Sequence, residues 1–451
     1  MKHVAAIIIG LLTLLQSVQG QQQGNEPRPE PIQQFLFYEA INLVCTDSTQ
    51  ARVDLHYRVD IEFFIPVRNT DPSFPADFKR RGEVLIELFD SLETSKARDI
   101  DRFEIGATTS EQKLPTKQWY QGIASFTVPP GPYKIIFELD DLESERKYLN
   151  KDLSIRAVKV EGKDFKASSP LFIYWLEQAT PDSIVSQNFG GNLLFGRKGA
   201  LFFQLASSNH SDEPLHIEYS FSTPQTRFRD PETIISDTAH YIMLKNRLPN
   251  PKGGRDSVGY VLAPETAQRS ISIIVPLPSE KLPLRPLDLL VKVRRDTAEI
   301  KLTKSLQMVW PDMPLSLREV DFAIDALRYI SREEQRDSMK HGSFEDRRKM
   351  LEEFWKPKDK TPETAYNEVM TEYYRRVDYA VKNFGTLRNP DGSKSDRGRI
   401  HILHGPPTKI DRALDPAGFQ EIWSYENLGK KFIFMDKTKS GTYELVSTQN
   451  L

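Results

Sequence analysis

A single cysteine, Cys45, is all the thiol this chain has, so it can close no internal disulfide. Without cross-links, a chain of 451 residues must hold itself together by sizeable cores, and that length allows two to four of them. Cys45 lies beside the apolar run Ile41-Asn42-Leu43-Val44, where a buried inert thiol fits better than a nucleophile. Charge of one sign is also missing. A formal net charge of -2 argues against nucleic acid as the main partner and removes simple attraction to anionic lipid. Past Leu15 no apolar run approaches the roughly 20 residues a spanning helix needs. Signatures for Ser-His-Asp catalysis, a phosphate loop or an HExxH helix do not occur, and no cofactor or metal is implied.

What is present begins with a three-part N-terminus. Lys2 supplies a positive start, Val4 to Leu15 an apolar core, and Val18-Gln19-Gly20 small residues at the positions a cleavage site uses. Residues 1–20 therefore read as a cleaved secretory signal peptide, and the rest as a soluble exported chain. With so little cysteine, a bacterial periplasm or cell envelope is the expected compartment. Residues 21–32 (QQQGNEPRPEPI) have almost nothing to bury and read as a disordered leader.

From residue 33 the patterning is that of a β protein. Val53, Leu55, Tyr57, Val59, Ile61, Phe63 and Ile65 alternate with mostly polar residues, predicting a strand with one core face and one solvated face. His56 falls on the polar face. Further strands are expected at Glu83–Phe89, Ile123–Val128, Tyr133–Leu139 and Leu153–Val160, with Val128-Pro129-Pro130-Gly131-Pro132 as a turn between two antiparallel strands. The pattern then recurs in Leu171–Trp175, Ala200–Leu205, Ile217–Phe221, Ile271–Val275 and Leu289–Val293. Two tandem Ig-like β-sandwiches, 33–167 and 168–312, follow from this. Residues 222–258 show no steady period and read as a long loop from the second sandwich.

After Pro311 and Pro314 the period becomes helical. Val320, Ile324, Leu327 and Ile330 share one spacing, as do Phe344, Met350, Leu351 and Phe354. A longer helix is expected to open at Thr361-Pro362 and to carry Tyr366, Met370, Tyr373, Val377, Val381 and Phe384 as one stripe to a stop at Gly385. Strands are expected at Arg399–His404, Glu421–Tyr425, Lys431–Met435 and Tyr443–Val446. The predicted fold is mostly β, with a C-terminal α+β domain over 313–451 in which helices pack on a small antiparallel sheet.

Between about Leu327 and Tyr425 the chain carries Glu353-Phe354-Trp355, Asp359, Thr361-Pro362, Asn367-Glu368, Tyr373-Tyr374-Arg375-Arg376-Val377 and Ala380. The series continues through Asp396-Arg397-Gly398-Arg399-Ile400 and Gly405-Pro406-Pro407 to Trp423 and Tyr425. In these residues and their order the segment resembles the GWxTD domain of exported bacterial proteins. The departure falls on the motif that names the family. Gly392-Ser393-Lys394-Ser395-Asp396 stands where Gly-Trp-x-Thr-Asp is usual, so the tryptophan position holds Ser393. The resemblance implies a fold and an extracytoplasmic location, but no reaction.

The candidate binding residues are those of the motif: Gly392, Asp396, Arg397, Gly398, Arg399, Gly405, Pro406 and Pro407. Two arginines flanking a glycine could fork onto a carboxylate or phosphate; equally, Asp396 could cap the loop while Arg399 pairs with a helix carboxylate. His401 and His404, read in a strand, would point to opposite faces, a poor geometry for one metal. The sequence points to an interaction or scaffold protein of the envelope, without a catalytic set, that docks a protein or glycan partner. An envelope hydrolase with its site near Asp396–Pro407 is the alternative.

Overall fold

The computed structural model describes residues 35–47, 49–107, 118–160, 165–175, 177, 181–206, 214–254, 257–264, 270–387, 389–415 and 418–451. The expected signal peptide and leader lie outside them. β1 (Leu36–Leu43), β2 (Ala51–Asp60) and β6 (Trp119–Val128) form one antiparallel sheet in the order β1-β2-β6. β4 (Phe78–Phe89), β5 (Ser95–Ala107), β7 (Gly131–Asp141) and β8 (Lys147–Ala157) form the facing sheet in the order β5-β4-β7-β8, with the short β3 (Val67–Arg68) beside the start of β4. Val53, Leu55, Tyr57 and Val59 meet Val84, Ile86, Leu88, Ile135 and Phe137 between them.

β2 differs from its prediction twice. It stops at Asp60, whose carboxylate accepts the Glu62 N–H and opens a 3-10 turn at Ile61–Phe63. Its polar face is also not solvated: Asp54 and His56 are 0% and 1% exposed. Alternation identifies a strand with two unlike faces, but it cannot say what covers the polar one. Here the cover is the second sandwich.

That sandwich repeats the strand order of the first. Its first sheet holds β9 (Lys166–Ala167), β10 (Leu171–Tyr174), β13 (Gly199–Ala206), β16 (Ile242–Lys245) and β19 (Ser270–Leu277), in the order β10-β13-β19-β16 with β9 on β13. The facing sheet holds β12 (Leu193–Leu194), β14 (His216–Ser222), β15 (Thr233–Thr238), β20 (Pro286–Arg295) and β21 (Ala298–Val309), in the order β12-β21-β20-β14-β15. β10-β13-β19 thus answers β1-β2-β6, and β15-β14-β20-β21 answers β5-β4-β7-β8. The proline joint at 128–132 is a crossover between sheets, because β6 and β7 pair in different ladders. The joint between β19 and β20 is the same.

Residues 222–258 are largely built into sheets. β15 pairs with β14, β16 with β19, and β17 (Arg247–Lys252) with β18 (Gly259–Pro264), which also pairs with β11 (Ser183–Val185). Pro249 and Pro251 hid this from the sequence. β17 tolerates them because it is an edge strand with one partner. The β11-β18-β17 sheet and the outer face of β13 bury Ile41 and Leu43 of β1 together with Ile184, Phe202, Tyr260 and Leu262. β13 is consequently buried along both faces.

The C-terminal part layers α1 (Val320–Ala326), α2 (Glu333–Met339), α3 (Phe344–Trp355), α4 (Glu368–Phe384) and α5 (Asp396–His404) on an antiparallel sheet of β22 (Lys409–Asp415), β23 (Gly418–Tyr425), β24 (Lys430–Asp436) and β25 (Glu444–Asn450). Trp355, Tyr374, Val377, Phe384, Ile400, Trp423, Tyr425 and Phe434 share one core. α4 starts later than predicted, because Asn367 caps it by accepting the Met370 N–H at 2.8 Å. Residues 361–364 form a turn, and Tyr366 packs on Phe195 and Trp310 of the second sandwich, with centroids 6.0 and 5.5 Å away. Among the described residues, no helix is long and apolar enough to cross a membrane.

Candidate functional site

The segment expected as a strand at Arg399–His404 is part of helix α5. Ser395 caps it, its Oγ accepting the Gly398 N–H at 3.0 Å, with Asp396 in the first turn by the positive dipole end. Ile400 and Ile402 alternating with polar residues imitate a strand, but a nine-residue helix needs few apolar positions to seat itself. The seat is tight. A Cβ on Gly398 would lie 2.1 Å from the Gly392 carbonyl oxygen, and one on Gly392 would lie 2.2 Å from the Ala380 carbonyl oxygen. Both glycines are therefore needed for α5 and its leading turn to press against α4.

The charged motif residues, each partly exposed, pair with groups of their own chain. One Asp396 oxygen pairs with Arg399 at 3.1 Å, and the other accepts the Leu445 N–H at 2.8 Å, tying α5 to β25. Arg397 reaches Glu421 at 3.3 Å and the Gly441 carbonyl at 3.3 Å, its guanidinium 4.1 Å from the Tyr443 ring centroid and 5.1 Å from that of Phe384. Glu421 is 4% exposed and also accepts from Arg412 Nε at 2.9 Å and Trp423 Nε1 at 3.3 Å. Gly405 ends the helix at φ +79°, and its carbonyl accepts the Tyr425 hydroxyl at 2.8 Å. Pro406 is exposed and Pro407 half-buried.

His401 and His404 are spaced three apart on a helix, not across a strand. His401 stacks on Tyr379 with centroids 4.4 Å apart, and burial, then the nearby Arg376 guanidinium, pushes it down to about 4. His404 lies against Phe432 and Tyr425, and burial lowers it too. Both rings are spent on aromatic packing. Among the described residues no cluster of three or more His, Cys, Asp or Glu could hold a metal.

Against known families, the GWxTD domain model matches residues 292–450. The C-terminal third is similar to the GWxTD domain. No curated protein matches the chain. Among solved structures, the C-terminal domain of the antigen I/II polypeptide BspA of Streptococcus agalactiae is 8% identical, with 60% of this chain and 100% of that one covered and a TM-score of 0.15. The C-terminal domain of the antigen I/II-family protein AspA of Streptococcus pyogenes is 5% identical, with 61% and 100% covered and a TM-score of 0.15. Scores this low carry no argument.

The GWxTD match opens within β20 and takes in β21, whose end meets the helices through Trp310 and Tyr366 and through the ion pair of Asp312 with Arg375. At the variant motif position, Ser393 is buried, bonded through its N–H and hydroxyl to Asp391, while its carbonyl accepts the Tyr329 hydroxyl at 2.7 Å. A small polar side chain held in a turn thus stands where the motif has an indole. Sequence reasoning missed Glu421. Its signal was register: on β23 it shares a face with Trp423 and Tyr425, so a carboxylate there must be either exposed or matched by cations.

Proposed function

We propose that this chain is a non-catalytic interaction protein of the bacterial cell envelope, in which two sandwiches and the GWxTD domain together present surfaces to a protein or glycan partner. One observation carries the reading: the motif's charged residues are committed to internal pairing. Asp396 holds Arg399 and the β25 backbone, and Arg397 holds Glu421, so they brace α5 against the sheet. A hydrolase needs a base or nucleophile free to meet substrate. His401, the nearest base candidate, is stacked and held neutral.

A buried hydrogen-bond network between the two sandwiches supports a scaffold role. Asp54 of β2 accepts from Arg52 at 2.9 and 2.7 Å, from Ser125 at 2.6 Å, and from Tyr260 of the second sandwich at 2.8 Å. Tyr260 spends its only proton on Asp54, so His56 Nε2 donates to the Tyr260 oxygen across 2.7 Å. Lys304 pairs with Glu39 nearby. Export is read from the N-terminal pattern alone. The test is in-cell crosslinking followed by affinity recovery from envelope extracts. Reproducible recovery of one partner supports the proposal. Recovery of none, together with hydrolysis of an envelope substrate that Arg397→Ala abolishes, overturns it.

A further inference from the structure

The contact between the two sandwiches encloses a histidine. His56 of β2 is 1% exposed, on the face that Tyr260 of β18 covers, and its Nε2 donates to the Tyr260 oxygen. The other ring nitrogen, Nδ1, is enclosed as well and meets no partner among the described residues. A neutral ring leaves Nδ1 as a bare acceptor. A charged ring would place an N–H there, inside a dry contact.

Charge around the ring is already balanced. Glu39 of β1 is the register partner of His56, and its carboxylate is taken by Lys304 of β21. Asp54, two residues before His56, is taken by Arg52 at 2.9 and 2.7 Å and by Tyr260 at 2.8 Å. Arg58, two residues after, brings another guanidinium, 4.0 Å from the Phe189 ring centroid. On β6 the residues opposite Asp54, His56 and Arg58 are Ser125, Ile123 and Gln121, none of them charged. Tyr260 keeps its proton, since burial and then the Asp54 charge push the hydroxyl up. Two carboxylates thus face the ring, each with its own cation, and a further cation stands near. A proton on His56 would add a positive charge that neither carboxylate is free to match. Burial, outweighing the attraction of Glu39 and Asp54, holds the ring below its ordinary range.

We infer that His56 makes the junction between the sandwiches acid-sensitive, closed at neutral pH and loosened as the pH falls. In an open junction water reaches the ring, and its proton affinity returns to the ordinary value of 6.5. The open form then binds a proton that the closed form refuses. Above pH 6.5 neither form is protonated and the contact keeps its full strength. Below it, each pH unit multiplies the open fraction by up to about tenfold. The apolar part of the contact, with Ile41, Leu43, Phe202 and Leu262, does not titrate and sets how rare opening is at neutral pH. The competing account is a packing role alone, which a neutral side chain with one donor would fill and which gives no pH dependence. The inference concerns the junction itself, so it holds whichever partner the chain meets.

The test is hydroxyl-radical footprinting of the full chain from pH 8 to pH 5, read by mass spectrometry at Tyr260 and Tyr374. Tyr260 is enclosed by the junction, while Tyr374, equally buried in the C-terminal core, reports global unfolding. Tyr260 oxidation should rise severalfold by pH 5 while Tyr374 stays protected. His56→Gln keeps a donor for Tyr260 but takes no charge, so its Tyr260 signal should not change with pH. Lys304→Met frees Glu39 to receive a protonated His56 inside the closed junction, so the ratio of Tyr260 oxidation at pH 5 to that at pH 8 should shrink. A Tyr260 signal that stays flat in the natural protein overturns the inference. So does a rise shared by Tyr374, or an equal rise in His56→Gln. If His56→Gln is open at every pH, Lys304→Met decides, and an undiminished ratio there overturns the inference.

Discussion

Glu421 can be buried because three donors converge on it, from Arg397, Arg412 and Trp423. They are not equal. Arg397 is itself mostly buried, whereas the Arg412 side chain is 75% exposed. Glu421→Gln should therefore cost the GWxTD domain about 3 kcal/mol, because it strands a buried guanidinium. Arg412→Ala should cost less than about 1 kcal/mol, because water replaces the exposed cation. Urea unfolding of the two variants checks the contrast. His401 gives a pH signature. Its folded value lies near 4, below the ordinary 6.5, so the unfolded chain binds more protons between those values. Stability attributable to His401 is then fully present above pH 6.5 and is lost as the pH falls toward 4. Denaturation midpoints at pH 7, 5.5 and 4.5 should fall in that order, and His401→Gln should flatten the trend. Of this site, the sequence made Asp396, Arg397, Gly398 and Arg399 visible as a cluster. It did not reveal which way they point, because that depends on Glu421 and Leu445, brought in by strands far along the chain.

α5 is where local sequence and final structure part most clearly. Alternating Ile400 and Ile402 favoured a strand, while the deciding features were the Ser395 cap and two glycines, Gly398 seated on the turn at Gly392 and Gly392 seated on α4. Propensity alone says that Gly398→Ala should help a helix by about 1 kcal/mol. Packing says otherwise: the new Cβ meets backbone, which cannot swing aside, and overpacking of that kind costs about 1–3 kcal/mol. The net expectation is destabilisation, read as a lower thermal midpoint, with Ser395→Ala costing about 1 kcal/mol through the lost cap. Strands that carry one clean apolar face, such as β2, β4, β7 and β14, were legible from alternation. β5 was missed because its inward face carries acids, and β17 because it carries prolines. In both, the residues that obscure the strand are ones an edge position permits.

At the scale of the whole molecule, the two sandwiches are joined by charge as well as by apolar contact. Among the described residues, Asp54, His56 and Tyr260 bond to one another and to Arg52 and Ser125. Tyr260→Phe removes one proton and one acceptor from the buried Asp54 and His56 and should cost about 2 kcal/mol. Calorimetry should show the sandwiches, coupled in the natural protein, separating into distinct transitions in that variant. There is also a consequence in time. Asp54 and Tyr260 are 206 residues apart. At the pace of ribosomal synthesis, roughly ten to forty seconds separate their appearance. The first sandwich has all its strands long before β18 exists, and meanwhile the outer face of β2 presents a hydrated carboxylate, an arginine and an imidazole. On that face Asp54 and Arg52 are the register partners of Ile41 and Leu43 of β1, so the apolar surface that waits for the second sandwich is interrupted by charge. The polar face of β2 thus breaks up an apolar surface in the young chain before it joins the finished one.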